Sequence, residues 1–227
     1  MKRVAVVTGT TSGIGYYIAS YFKNEGYYVI GINRKFHSKS SDLPTNSNFF
    51  LDLSSVNEIS SAVSEFKHQY QTFEIEVLVN NAGVMYLNDF STNDRDTIAI
   101  DFEAPIYLCK EMLLQEVLKE GHIINIASIS GMVGDIDAPV YSACKAGIIN
   151  LTRSLAKKYA PEIRVNCISP GFFKTNLVEG DTPQELIDQV PMMREAEAHE
   201  IIPVIHMLQV STYMTGANIV IDGGLSL

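Results

Sequence analysis

The chain has 227 residues, 46% of them hydrophobic and 19% charged, and its formal net charge is −9. This profile is typical of a globular protein with a sizeable core and excludes a disordered chain. An acidic protein lacks the cations that neutralise phosphates, so nucleic acid and anionic membrane surfaces are disfavoured as partners.

The cysteines and the N-terminus predict a soluble, cytoplasmic protein. The three cysteines, Cys109, Cys144 and Cys167, are far apart and form no Cys-x-x-Cys pair, which favours a reducing compartment. The apolar run at residues 4–7 is too short for the core of a signal peptide. No run approaches the roughly 18 apolar residues that span a bilayer, so we expect no membrane association.

Short apolar runs alternate with amphipathic segments along the chain. Strands are predicted at residues 4–7, 29–32, 49–51, 77–79, 123–127, 165–168 and 219–221. Helices are predicted at residues 14–25, 56–70, 98–118, 141–159 and 200–208. Continuously apolar strands are typical of parallel sheets buried on both faces. The pattern predicts an α/β fold of the Rossmann type: a doubly wound, seven-stranded parallel sheet with helices on both faces, in three α/β/α layers.

The chain contains no linker-like break, so we expect one dinucleotide-binding and catalytic domain over residues 1–227. Residues 172–193 have weak periodicity and contain Gly180, Pro183 and Pro191. This segment is predicted to be a substrate flap, with a short helix near residues 183–190. Such flaps exclude water from a reacting centre.

A glycine-rich loop at residues 8–15 joins the first strand to the first helix. Glycines let the backbone approach a pyrophosphate, while the helix N-terminus supplies amide donors and a positive dipole end. Such a loop by itself could be only a tight turn. Its position between the first strand and the first helix favours a dinucleotide site.

Tyr141 and Lys145 are spaced four residues apart in a predicted helix, so their side chains share a face. A free tyrosine has a pKa of about 10. A neighbouring ammonium favours the phenolate, which suits the pair to proton transfer between an alcohol and a carbonyl. The pair alone also occurs by chance on many helices.

With these two motifs, the chain resembles the short-chain dehydrogenase/reductase family over essentially its whole length. The subgroup is the one with a Thr-Gly-x-x-x-Gly-Ile-Gly loop and a Tyr-x-x-x-Lys pair. Further segments match the family's motifs in order, namely Asn80-Asn81-Ala82-Gly83, Ser128, Pro170-Gly171 with Thr175, Thr215-Gly216 and Asp222-Gly223-Gly224.

The resemblance implies an NAD(P)-dependent oxidoreductase that moves a hydride between the cofactor and a carbonyl or secondary alcohol of a small molecule. The implied catalytic residues are Ser128, Tyr141 and Lys145. Ser128 would bind the carbonyl oxygen and Tyr141 would transfer the proton. Lys145 would lower the tyrosine pKa and hold the nicotinamide ribose. A hydroxyl that only satisfies local backbone is the alternative for Ser128.

The resemblance also implies a set of cofactor contacts in the glycine loop, at strand ends and on the catalytic helix. These residues are Gly9, Thr11, Ser12, Gly13, Ile14, Gly15, Asn33, Arg34, Asp52, Leu53, Asn80, Ala82, Gly83, Tyr141, Lys145, Pro170, Gly171, Phe173 and Thr175. Two of them have structural alternatives. Asp52 could cap the next helix, and Asn80 could only stabilise its turn.

The end of the second strand bears on the choice of cofactor. An acidic residue there would bind the adenosine 2′-hydroxyl and favour NAD, but this chain has Asn33. Arg34 and Lys35 follow, and an arginine can bind a 2′-phosphate through two hydrogen bonds. NADP is therefore favoured. NAD stays possible, because exposed basic residues are often only solvated surface.

Asp101 departs from the family, which usually has an asparagine there whose main-chain carbonyl helps hold a water linked to the lysine. A carboxylate at this place is expected to stabilise the Lys145 ammonium and raise the pKa of Tyr141. Alternatively, it points to solvent or forms an interface salt bridge. The departure keeps open a second function, a catalytically weak regulatory or scaffold protein on the same fold. An epimerase or dehydratase, which shares the Tyr/Lys pair, would typically have a longer C-terminal domain.

Two further expectations concern metals and assembly. The five histidines, His37, His68, His122, His199 and His206, are not paired at metal-ligand spacing, so no metal is implied. The predicted helices at residues 98–118 and 141–159 have apolar or small residues around more of their circumference than one sheet face covers. In the family these helices build the subunit interface, so we expect a homo-oligomer, a dimer or a tetramer with dihedral symmetry.

Overall fold

The computed structural model describes residues 2–34, 43–70, 72–87, 94–178, 180 and 182–227. The strands are β1 (Lys2–Thr8), β2 (Tyr28–Asn33), β3 (Ser47–Phe50), β4 (Phe73–Asn80), β5 (Gly121–Ile126), β6 (Ile163–Pro170), β7 (Phe173–Lys174), β8 (Ala196–Glu197) and β9 (Asn218–Ile221). The helices are α1 (Gly13–Asn24), α2 (Val56–Gln69), α3 (Asp94–Ile98), α4 (Ala104–Leu114), α5 (Ser130–Val133), α6 (Pro139–Tyr159), α7 (Gln184–Ile187) and α8 (Ile202–Val210). A π-helical turn (Ala99–Glu103) joins α3 to α4, and a 3-10 turn (Ala198–Ile201) precedes α8.

Seven strands form one parallel sheet in the order β3-β2-β1-β4-β5-β6-β9. This order confirms the predicted doubly wound sheet. The chain runs outward from β1 to β3 and then crosses back to β4 on the other side of β1. The carboxyl ends of β1 and β4 therefore border the crevice in which folds of this kind bind ligands.

Alternating side chains of the central strands enter two separate apolar clusters, one on each face of the sheet. Val4 and Val6 belong to the cluster that includes Phe66 of α2 and Leu108 of α4. Ala5 and Val7 belong to the other cluster, with side chains of α1 and α8 such as Phe22 and Leu208. Because burying one such large apolar side chain contributes about 1.5–3 kcal/mol, both helix layers are held firmly on the sheet. The predicted three-layer arrangement is confirmed.

The helix predicted over residues 98–118 differs most from the structure. It begins earlier, at Asp94, widens into the π-helical turn and ends at Leu114. Glu116 adopts a left-handed backbone with φ of 55°, and the Val117 amide donates to the Met112 carbonyl at 2.9 Å. Leu118 is nevertheless buried, so its place in the apolar pattern reflects core packing beyond the helix end.

The segment predicted as a flap contains β7 and α7. Strand β7 pairs in parallel with β8, with Phe173 opposite Ala196. The short helix predicted near residues 183–190 is confirmed as α7, although it ends at Ile187. The sequence missed β7 and β8 because each is only two residues long. Within the described ranges, no helix combines the length and the apolar character needed to cross a lipid bilayer.

Candidate active site

Ser128, Tyr141 and Lys145 come together at the carboxyl end of β5. Ser128 lies two residues beyond this strand, and Pro139 begins α6, whose first two turns carry Tyr141 and Lys145. All three side chains are buried, and the Ser128 and Tyr141 hydroxyls are hydrogen-bonded. The Lys145 Nζ lies 5.3 Å from the centroid of the Tyr141 ring and donates to the Ile126 carbonyl at 3.2 Å.

The alternative for Ser128, local backbone satisfaction, is also present in the structure. Its Oγ accepts a hydrogen bond from the Ser130 amide at 3.1 Å, at the start of α5. A hydroxyl oxygen has two acceptor positions and one proton. The two contacts are therefore compatible, and together they fix the hydroxyl beside the phenol of Tyr141.

The surroundings of Tyr141 push its acidity in opposite directions. Burial is the largest influence and raises the pKa of the phenol, whereas the Lys145 ammonium and the Ser128 hydrogen bond lower it. Asp101 and Asp135 raise the pKa further. Lys145 therefore lowers the pKa of Tyr141, as predicted. The net pKa of Tyr141 nevertheless lies above its ordinary value of 10.0.

Asp101 points into the site. It lies in the π-helical turn, and its Oδ1 is 2.9 Å from the Nζ of Lys145, with both side chains at most 5% exposed. Its Oδ2 accepts a hydrogen bond from the Val84 amide at 2.9 Å. Gly83 leaves room for this pair, because a Cβ there would stand 2.5 Å from Oδ1. This placement excludes the alternatives of a solvent-facing or interfacial carboxylate.

The buried ion pair determines the charge state of the lysine. Burial is the largest single influence and lowers the pKa of Lys145, but Asp101, Tyr141 and Cys144 together raise it, so the net pKa lies above the usual value. For Asp101, burial raises the pKa of the carboxyl, while Lys145 and the Val84 amide oppose that rise. As a unit, the pair carries no net charge.

The glycine-rich loop has the shape of a pyrophosphate cradle. Gly9 and Gly13 have φ of 71° and 56°. At Gly15 a Cβ would lie 2.1 Å from the Gly9 carbonyl oxygen. Ser12 stands at the N-cap of α1, yet its side chain makes no capping hydrogen bond. Backbone donors at a helix N-terminus and bare glycines suit a dinucleotide, so the residues fit one. A Cβ at Gly13 would also touch Thr175 at 3.2 Å, which places Thr175 beside the loop.

The cradle is tied to the end of β4 by residues that the sequence did not single out as contacts. The Thr8 hydroxyl accepts hydrogen bonds from the Asn81 and Ala82 amides at 2.9 Å and 2.8 Å. The Asn81 Nδ2 donates to the Thr8 carbonyl at 2.9 Å. Thr8 and Asn81 both lie in motifs that match the family. Their place in these motifs was the signal that could have identified them as site residues.

Two predicted cofactor contacts, Asn33 and Asn80, are engaged in the interior. Asn33 is 3% exposed, and its Oδ1 accepts from the Thr10 amide at 2.8 Å, so it braces the glycine loop from behind. Asn80 is also buried, and its Nδ2 donates to the Asn125 Oδ1 at 2.8 Å, which links β4 to β5. Asn80 thus has a structural role, although the bond joins two strands and is not the turn contact named as its alternative. Arg34 is exposed, whereas Lys35 and His37 lie outside the described residues.

The remaining predicted contacts divide between crevice and core. Asp52 accepts hydrogen bonds from the amide and the hydroxyl of Ser54, whereas the N-cap of α2 is Ser55. The capping alternative for Asp52 is therefore wrong. Leu53 and Phe173 pack in the two apolar clusters.

Pro170 ends β6 at the crevice edge, and Gly171 follows it. A Cβ at Gly171 would stand 2.7 Å from the Asp222 Cβ, so this glycine packs closely against the C-terminal motif. In the described part of the chain, no group of three or more histidine, cysteine or acidic residues could hold a metal ion.

A glycine cradle at the switch point of a doubly wound sheet, next to a buried Ser-Tyr-Lys cluster, defines a site for dinucleotide-dependent carbonyl and alcohol chemistry. Comparison with known families identifies the lineage, because the short chain dehydrogenase family matches residues 3–186. The chain belongs to this family and is an NAD(P)-dependent oxidoreductase.

The chain is similar over its full length to several known proteins. It is 32% identical over 236 residues to carbonyl reductase family member 4 of Xenopus laevis, covering 100% of this chain and 99% of the relative. It is 32% identical over 245 residues to the 3-oxoacyl-[acyl-carrier-protein] reductase FabG of Chlamydia muridarum, covering 100% and 98%. Among solved structures, a 4-hydroxyisoleucine dehydrogenase complexed with NADH superimposes with a TM-score of 0.87 at 26% identity, covering 100% and 99%.

Proposed function

We propose that this protein interconverts a small-molecule carbonyl and its secondary alcohol, with Ser128, Tyr141 and Lys145 as the catalytic residues. The observation that carries the proposal is the buried contact between the Ser128 and Tyr141 hydroxyls, with Lys145 one turn further along α6. The nicotinamide, when bound, supplies or accepts the hydride. Ser128 holds the substrate oxygen, and Tyr141 gives or takes the proton at that oxygen.

The substrate class is proposed to be a carbonyl compound with an apolar portion. Phe172, Leu177 and Val178 flank the segment that follows β6, and Leu177 is 41% exposed. Related proteins carry names that refer to carbonyl and 3-oxoacyl reduction. The test is a panel of ketones, aldehydes, 3-oxoacyl thioesters and alcohols with both cofactors, followed by nicotinamide absorbance. Saturable cofactor binding without turnover of any compound would favour the regulatory or scaffold alternative.

NADP is proposed as the preferred cofactor, and Arg34→Ala tests this. We expect the variant to weaken NADPH binding by about 10- to 100-fold, because a hydrogen bond to a charged group contributes about 1.5–3 kcal/mol. NADH binding should change little, because Arg34→Ala leaves the glycine loop intact. Asn33 still accepts a hydrogen bond from the loop at Thr10. Dissociation constants by fluorescence titration give the comparison.

The control for Arg34→Ala is Arg95→Ala, which removes an exposed arginine of α3 and should leave both affinities unchanged. Equal losses of NADH and NADPH affinity in Arg34→Ala, or tighter binding of NADH by the native protein, would contradict the NADP assignment.

A homo-oligomer is proposed, a dimer or a tetramer. Leu114 of α4 is 65% exposed and Ile98 of α3 is 37% exposed, so part of this helical layer is apolar and uncovered. Light scattering at micromolar concentration should give a multiple of 25.1 kDa. Leu114→Asp should lower the mass, whereas Val210→Asp, at an equally exposed site on α8, should not. A native mass near 25.1 kDa would refute the assembly.

We further propose that residues 1–227 act as one domain, in which residues 172–193 form the flap over the substrate. A cytoplasmic location is also proposed. It is supported by Cys109, Cys144 and Cys167, which are buried and are not joined in disulfides.

A further inference from the structure

The ion pair between Asp101 and Lys145 is sealed inside the protein. The two charged atoms are 2.9 Å apart, and the side chains are 0% and 5% exposed. Screening by salt and water is weak at such a site. The second carboxylate oxygen is held by the Val84 amide, so the carboxylate has a fixed orientation towards the lysine. The pair is therefore a permanent part of the catalytic cluster.

Few charged groups face Tyr141. On its own helix, Lys145 favours the phenolate. Asp101 in the π-helical turn and Asp135 in the segment before α6 favour the neutral phenol, and the uncharged Ser128 hydroxyl donates a hydrogen bond that favours the phenolate. Cys144 acts on Lys145 rather than on the phenol. Because the Asp101 carboxylate lies against Lys145, it partly cancels the field of the ammonium that would ionise the phenol.

We propose that Asp101 is a positioning residue that offsets the Lys145 charge at Tyr141 and so sets the pH range over which each direction of the reaction saturates. This inference rests on the proposed function. In reduction a bound reduced nicotinamide would supply the hydride that the carbonyl carbon gains, while the Tyr141 O–H bond breaks and its proton goes to the carbonyl oxygen. The alcohol forms, and the phenolate regains a proton from solvent.

The reverse reaction needs the phenolate to accept the alcohol proton before the hydride leaves. Saturated alcohol oxidation is therefore expected to rise with pH and to reach its plateau only under alkaline conditions, whereas saturated reduction persists through neutral pH. The overall equilibrium is set by the reactants. Asp101 changes only the pH range over which each direction saturates.

Asp101→Asn tests the proposal by removing the charge while keeping the size of the side chain. The single amide oxygen can accept from the Val84 amide or from Lys145, so one of the two contacts of the carboxylate is kept. With Lys145 unbalanced, the acidic limb of saturated oxidation should move to lower pH by up to about one unit, at an effective dielectric near 20. The alkaline limb of saturated reduction should move the same way. Both limbs are measured as turnover against pH.

Two control variants separate this effect from general surface charge. Asp135→Asn removes a carboxylate that acts on Tyr141 without contacting Lys145, so it should give a smaller shift in the same direction. Asp137→Asn, at an exposed position two residues on, should give none. If Asp101→Asn does not fold, Asp101→Ser removes the same charge with a shorter polar side chain.

A direct titration distinguishes failure of this inference from failure of the proposed function. The ultraviolet difference between Asp101→Asn and the double variant Asp101→Asn/Tyr141→Phe reports ionisation of Tyr141 alone. The same difference between the native protein and Tyr141→Phe is the reference. Earlier ionisation in Asp101→Asn supports the role of Asp101 even if no substrate of the panel is turned over. The role of Asp101 would be overturned if Tyr141 ionised at an unchanged or higher pH in Asp101→Asn. It would also be overturned if the limbs of the two pH profiles stayed in place or moved to higher pH.

Discussion

Replacing Tyr141 with phenylalanine should lower turnover by about 10²- to 10⁴-fold, the range that a positioned proton donor contributes. The substitution removes one oxygen and its proton, while the ring continues to fill its buried position at 4% exposure. Cofactor affinity should change by less than about threefold, because the glycine cradle and Lys145 remain. Steady-state turnover and a cofactor titration on the same preparation measure both quantities.

The matched control is Tyr213→Phe, which deletes the same oxygen from a fully exposed ring. It should leave turnover and thermal stability unchanged. Activity of Tyr141→Phe within tenfold of the native protein would remove the phenol from the mechanism. A parallel collapse of cofactor binding would instead assign Tyr141 mainly to binding.

Gly15→Ala should abolish measurable cofactor binding and lower the free energy of unfolding by about 1–3 kcal/mol, the usual cost of overpacking. The added methyl would stand 2.1 Å from the Gly9 carbonyl oxygen and 2.4 Å from the Asn81 Nδ2. Backbone cannot yield as a flexible side chain does, so α1 must move away from the loop. Cofactor titration and urea unfolding test the two parts.

The control lies at the other end of the same helix. Gly26 has φ of 83° and open space around the position of a Cβ. Gly26→Ala should cost about 1–2 kcal/mol through backbone conformation alone and leave cofactor affinity intact. Native-like cofactor binding by Gly15→Ala would show that the loop is not the pyrophosphate site.

The fold was largely predictable from sequence because its signals are local. Each strand of the main sheet is a short apolar run, and the first helix ends near a glycine, as expected for a parallel sheet covered by helices. The resemblance to the family, in which a serine precedes the Tyr/Lys pair at this spacing, was sufficient to predict that Ser128, Tyr141 and Lys145 come together. Such spacings fix position because β5 and α6 are rigid elements next to one another.

Other features depend on contacts between distant segments and carry no local signal. The direction of the Asn33 side chain is set by Thr10, twenty-three residues away. The seating of Asp101 against Lys145 depends on space left by Gly83. The resemblance led us to expect Asp101 near Lys145, but only the packing excludes the alternatives in which the carboxylate faces solvent or an interface.

The Thr8 hydroxyl has a mechanical consequence for the whole reaction. It joins the edge of the glycine loop to the backbone at Asn81 and Ala82, across the crevice between β1 and β4. An elongated ligand bound at the loop is thereby held at a constant distance from β4. The neighbouring strand β5 leads to the reacting side chains. Binding of one end of the ligand at the glycine loop can thus fix the distance between the other end and the reacting side chains.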